Sequence, residues 1–162
     1  MKLVKLLSLV VGAVVVLGAA SAHAQGPPPY GPPITLAQAK KDLAGAEAEA
    51  LKNKWQMVIV VLDSGGNLVA AHRLDGAQIG SIEVARDKAW SAVAFRRPTK
   101  VFQDAVEKGG VNLRLLRLTG ANPLDGGLPI VVDGKLVGAI GVSGATGEQD
   151  AQVARAGIEA MK

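Results

Sequence analysis

Asp133-Gly134 separates two β-branched, apolar runs, residues 128–132 and 135–142. It constrains the fold more than any other feature of the chain. Both central residues of a two-residue type I′ turn need positive φ, and Asp-Gly meets that need at little cost, so the spacing predicts a β-hairpin. The second run continues into Ser143-Gly144-Ala145-Thr146-Gly147, and after Glu148 and Asp150 the apolar residues of 151–158 recur at helical spacing. A strand therefore passes through a glycine loop into a helix. Unpaired N–H groups at a helix start, next to a loop without β-carbons, let the backbone approach an anionic ligand closely. The same glycines also serve tight turning and close strand packing, and both readings stand at this point. Gly141-Val142-Ser143-Gly144-Ala145 approximates a nucleophile elbow, but Ala145 occupies a position that needs glycine, which speaks against a serine hydrolase.

At the other end of the chain, Lys2 and Lys5 precede an apolar stretch over residues 6–20, and Ala22-His23-Ala24 has the small-x-small form of a signal-peptidase site. The expectation is a leader over residues 1–24, cut after Ala24, and a periplasmic or secreted product with no stable membrane anchor. The apolar run is shorter than the about 20 residues a spanning helix needs. The chain has no cysteine, which excludes disulfides, thiolate metal sites and a lipid-modified cysteine. Taking Lys2 and Lys5 from the 18 basic residues leaves 16 against 14 acidic ones, a net charge of +2. With so small a charge and few aromatics, nothing points to nucleic acid. The prolines of residues 25–33 predict an extended linker, and residues 34–162 suit one domain.

Thr35 is placed to cap a helix carrying Leu36, Ala39, Leu43, Ala46 and Ala50. Residues 56–62 and 68–74 read as antiparallel strands around the turn at 63–67. Ser81 is placed to cap a helix through Val93, and Thr99 to cap a shorter one through Val106. Residues 111–118 alternate ambiguously, as a short strand or an irregular crossing. Counted as a strand, they give an α+β fold with an antiparallel sheet of about five strands flanked by helices.

Several segments together resemble the GlcG/HbpS family: Arg73-Leu74-Asp75-Gly76-Ala77, Arg86-Asp87-Lys88-Ala89, Arg97-Pro98-Thr99, Gly126-Gly127-Leu128-Pro129-Ile130, and residues 138–145 followed by Asp150 and Ala154-Arg155-Ala156-Gly157. The resemblance implies a profilin-like α/β sandwich that assembles into homo-oligomers. Some members bind heme, and others are known as neighbours of small-acid or corrinoid metabolism. Together with the leader, this implies a secreted heme-binding protein for sequestration or delivery. The alternative is an enzyme or accessory protein acting on a small anionic metabolite, of the glycolate or corrinoid pathway type, held at the loop over 144–147 with Lys88 or Asp150 as the titrating group.

For heme, His72 is the one histidine beyond the leader, and imidazole is the commonest protein ligand to heme iron. Met57 and Tyr30 are weaker candidates. The resemblance also implies Thr99, because the heme-binding member has a threonine at its iron and Pro98-Thr99 is the matching position. Arg96 and Arg97 suit the heme propionates. Lys88, Ser143, Gly144 and Asp150 line the same pocket if the glycine loop faces the turn at 97–99. The expected site lies between the strand bearing His72 and the turn bearing Arg97 and Thr99.

Overall fold

In a computed structural model that describes residues 26–162, the chain runs α1 (Leu36–Lys52), β1 (Val58–Asp63), β2 (Leu68–Arg73), α2 (Ser81–Phe95), α3 (Lys100–Glu107), a 3-10 helix (Gly110–Arg117), β3 (Gly127–Val132), β4 (Lys135–Ser143) and α4 (Gly147–Ala160). The predicted leader and its cut after Ala24 lie outside the described residues. The four strands form one antiparallel sheet in the order β2-β1-β4-β3. The fold is α+β. Among the described residues, no helix is long and apolar enough to cross a membrane.

Local chemistry accounts for most element ends. Asp133 and Gly134 have φ of 50° and 72°, as a type I′ hairpin requires. Thr35 and Gln38 form a reciprocal capping box at α1, and Thr146 and Gln149 form another at α4. Two expected caps are corrected. Gly80, not Ser81, holds the cap position of α2, and Thr99 precedes α3 without any side-chain capping bond. In both cases tertiary partners take the hydroxyl.

The sheet is covered on both faces. Ile59, Val61, Ile140 and Val142 pack with Leu43, Ala46, Val153 and Ala154 under α1 and α4, while Val58, Val60 and Leu62 pack with Ala85 and Ala89 of α2. Alternation along β1 produces this division, since successive side chains point to opposite faces. Each fully buried Ile or Val contributes about 1.5–3 kcal/mol.

The sheet has four strands rather than five because residues 111–118 do not form one. Gly109 and Gly110, at φ 68° and 60°, send the chain into the 3-10 helix, which buries no residue. Its apolar side chains, spaced both two and three apart, fit either period in the sequence. The proline-rich stretch is also more ordered than a free tether. Leu136 donates its N–H to the Pro29 carbonyl at 2.9 Å, and Gly31 and Ile34 donate to the Leu136 and Val137 carbonyls at 2.7 and 2.8 Å. The pairing of β1 with β4 begins only at Gly138, which leaves the start of β4 an open edge for this strap. The Tyr30 hydroxyl shares its proton between the Val93 and Ala94 carbonyls at the end of α2, at 3.1 and 3.0 Å.

Candidate functional site

Two glycines of the sheet determine how close α2 comes. A Cβ on Gly141 would overlap the Ala85 carbonyl, and one on Gly127 would overlap the Lys88 carbonyl, so the α2 backbone rests directly on β3 and β4. This contact brings the Lys88 side chain to the end of β4. Its ammonium donates to the Val142 carbonyl at 2.9 Å and to Asp150 Oδ2 at 2.7 Å, with Lys88 and Asp150 each 2% exposed. Asp150 Oδ1 accepts the Ala145 N–H at 3.1 Å, which ties the glycine loop to the first turn of α4. Burial pushes the Asp150 carboxyl above the usual carboxylate range, and the hydrogen bond from Lys88 opposes that rise. Ser143 Oγ donates to Ser81 Oγ at 3.1 Å, which is where the expected cap hydroxyl has gone.

These groups open onto a pocket of about 280 Å³ whose walls include Lys88, Asp125, Ser143, Ala145, Gly147 and Asp150. Asp125 was not among the residues singled out from the sequence. It is 4% exposed, and its Oδ1 accepts the Gly126 N–H at 2.7 Å. Its only local signal is its position immediately before Gly126-Gly127.

The structure brings Lys88, Ser143 and Asp150 together and distributes the other expected residues elsewhere. Gly144 lies against the Gln56 carbonyl and Met57, where a Cβ would not fit. Arg96 sits over the Tyr30 ring at 5.4 Å and donates to the Pro28 carbonyl at 3.4 Å. Arg97 donates to the Phe95 carbonyl at 3.0 Å and lies over the Phe102 ring at 5.9 Å. Neither arginine lines the Lys88 pocket. Thr99 is fully buried, and its hydroxyl accepts the Gly127 N–H at 3.0 Å and donates to the Gly127 carbonyl at 3.4 Å. It holds the start of β3 instead of facing a ligand. Tyr30 is held by α2, and Met57 is fully buried.

His72 is on the far side of the sheet. It pairs with Ile59, which faces α1 and α4, and its Nδ1 lies 2.6 Å from Glu47 Oε2 of α1. The expected site between His72 and the turn at 97–99 is therefore not one site, because the sheet separates them.

A family model described as "Haem degrading protein HbpS-like" matches residues 34–159. The chain belongs to this HbpS-like family. Protein GlcG of Escherichia coli K12 is 42% identical over 101 residues, which cover 62% of this chain and 74% of GlcG. The crystal structure of HbpS superposes with a TM-score of 0.72 at 34% identity, covering 80% of this chain and 90% of that one. PduOC, solved as a complex with heme, superposes with a TM-score of 0.72 at 28% identity, covering 79% of this chain and 94% of that one.

Two concavities of this HbpS-like chain differ in what they can hold. Pockets for drug-sized ligands span about 300–1,000 Å³. At about 280 Å³, the Lys88 pocket falls below that range and is too small to enclose a porphyrin. The cleft between the end of α1 and the end of β2 has about 510 Å³ and is walled by Glu47, Leu51, Lys54, Trp55, Gln56, Arg73, Leu74 and Asp75. His72 borders it through Glu47 and shares its face of β2 with Leu74, two residues along. A carboxylate oxygen accepts, so in the neutral tautomer that suits this contact the Nδ1 proton is donated to Glu47 and the Nε2 lone pair is left for a metal. A partner of this kind commonly orients imidazoles that bind metals. Leu51, Trp55 and Leu74 supply apolar walls, and Lys54 supplies an exposed cation. The cleft thus has apolar walls and an exposed cation, with His72 hydrogen-bonded to one of its wall residues, whereas the Thr99 hydroxyl is buried and engaged with Gly127.

Proposed function

We propose that this protein binds heme in the cleft beside His72, with His72 Nε2 as the axial nitrogen. The observation that carries the proposal is the likeness to PduOC, a chain solved with heme bound and covered over 94% of its length. Heme brings an iron that accepts an imidazole nitrogen. On the protein side, Glu47 holds the His72 ring by its Nδ1 proton, Leu51, Trp55 and Leu74 cover an apolar face, and Lys54 faces the propionates. With residues 1–24 read as a cleaved leader, the protein sequesters or delivers heme in the periplasm or outside the cell. An intact mass starting at Gln25 for protein recovered from the cell envelope checks the leader.

The test of binding is a hemin titration followed in the Soret region. Wild-type protein is expected to give a saturable, nitrogen-ligated spectrum, His72→Ala to lose that signature and weaken binding at least tenfold, and Thr99→Ala to leave both unchanged. Binding no tighter than that of an unrelated protein of similar charge overturns the reading. A His72→Ala spectrum identical to wild type overturns the ligand assignment.

A further inference from the structure

The pocket at Lys88 lies at the end of the sheet, where α2 and α4 meet, and shares no lining residue with the cleft beside His72; its unmet hydrogen-bonding capacity has a definite composition. Lys88 carries three N–H donors, and the structure engages two of them, with Val142 and Asp150. Both oxygens of Asp150 are taken, by Lys88 and by the Ala145 N–H. Asp125 is different. Its Oδ1 accepts from Gly126, while its Oδ2 has no hydrogen-bond partner among the described residues and the residue, 4% exposed, lines the pocket. Ser143 spends its proton on Ser81 and keeps its lone pairs. The pocket therefore presents one free donor on a cation and free acceptors on a carboxylate and a hydroxyl.

This combination discriminates between ligand classes. A carboxylate only accepts, so it would satisfy Lys88 but stand against the charges of Asp125 and Asp150. An ammonium only donates, so it would satisfy Asp125 but stand against Lys88. A hydroxyl does both with one group. Leaving either buried group unpaired costs about 1–3 kcal/mol, more when it is charged, so the mismatch counts against both ions. The volume of about 280 Å³ restricts the ligand to a few carbons. From the donor and acceptor inventory, we infer that this pocket binds a small neutral polyol, with one hydroxyl donating to Asp125 Oδ2 and accepting from Lys88 Nζ. The anionic ligand expected from the glycine loop does not match these walls.

Titrating glycerol and ethane-1,2-diol into ¹⁵N-labelled protein tests this, with the Gly126, Ala145 and Gly147 amides as reporters. Saturable shifts at these three amides are expected for both diols, while acetate and methylammonium at equal concentration give none. Asp125→Asn, which keeps the side-chain shape and an acceptor for the Gly126 N–H, is expected to weaken diol binding at least tenfold while the rest of the amide spectrum stays in place. Absence of saturable shifts with both diols overturns the inference, as does tighter binding of acetate or an unchanged affinity in Asp125→Asn. His72→Ala should leave these shifts as they are, so the outcome is independent of heme binding.

Discussion

Lys88 on α2 and Asp150 on α4 meet at 2.7 Å around the end of the sheet, joining the helical layers on its two faces through one buried ion pair. Removing one partner from such a pair leaves an uncompensated charge, which typically costs about 3–5 kcal/mol. Lys88→Met is expected to lose that much in urea unfolding. Lys88→Met combined with Asp150→Leu should recover most of it, since the stranded carboxylate is gone. A loss under about 1 kcal/mol for Lys88→Met would mean that the pair is not desolvated as the structure shows.

Asp42 of α1 is fully buried against Gly157 of α4, with no partner for either carboxylate oxygen among the described residues, and burial pushes its pKa up to about 7 from 3.8. The sign of the stability change follows from which state ionises. Below about pH 4 the group is protonated in both states. Between about 4 and 7 the unfolded chain ionises and the folded one does not, so stability falls as pH rises, and above about 7 the loss is complete. Roughly three pKa units at about 1.4 kcal/mol each give a loss on the order of 4 kcal/mol. Asp42→Asn should remove this component, gaining stability over wild type at pH 7.5 and little at pH 4. Parallel urea titrations at both values check it, and an equal gain at both would contradict the assignment.

Gly141→Ala should push α2 off the sheet, because the added methyl falls on the Ala85 carbonyl and the Ala89 N–H. Overpacking of this kind costs about 1–3 kcal/mol. Thermal unfolding should show the loss. The Gly126 and Gly147 amides should shift as Lys88 moves, whereas Gly134→Ala, with open space around its Cβ, should leave the Lys88 pocket in place.

The 3-10 helix exposes Val111, Leu113 and Leu116. Assembly into homo-oligomers is implied by the resemblance to the GlcG/HbpS family, and we propose this face as the contact between copies. Leu113→Glu with Leu116→Glu is expected to lower the mass measured by light scattering at micromolar concentration. A wild-type monomer under the same conditions would end the proposal.

The features that the sequence by itself determined are those whose causes span a few residues. Asp133-Gly134 specifies its turn through φ, Thr35 with Gln38 specifies a helix start through two hydrogen bonds, and the unbroken apolar run of residues 58–62 specifies a strand buried on both faces. Lys88, Ser143 and Asp150 were legible as residues that line one pocket if the glycine loop faces the turn at 97–99, but their meeting was not, since Lys88 and Asp150 lie 62 positions apart. Only the tertiary structure decided that α2 rests on glycines of β3 and β4, that Thr99 turns its hydroxyl to Gly127 instead of its own helix, and that His72 faces α1 on the opposite side of the sheet from Thr99. A cap hydroxyl or a strand residue has several partners of similar strength within reach. Which one it takes depends on which face of which layer arrives beside it, and the strand order β2-β1-β4-β3 sets that through contacts between segments far apart in the chain.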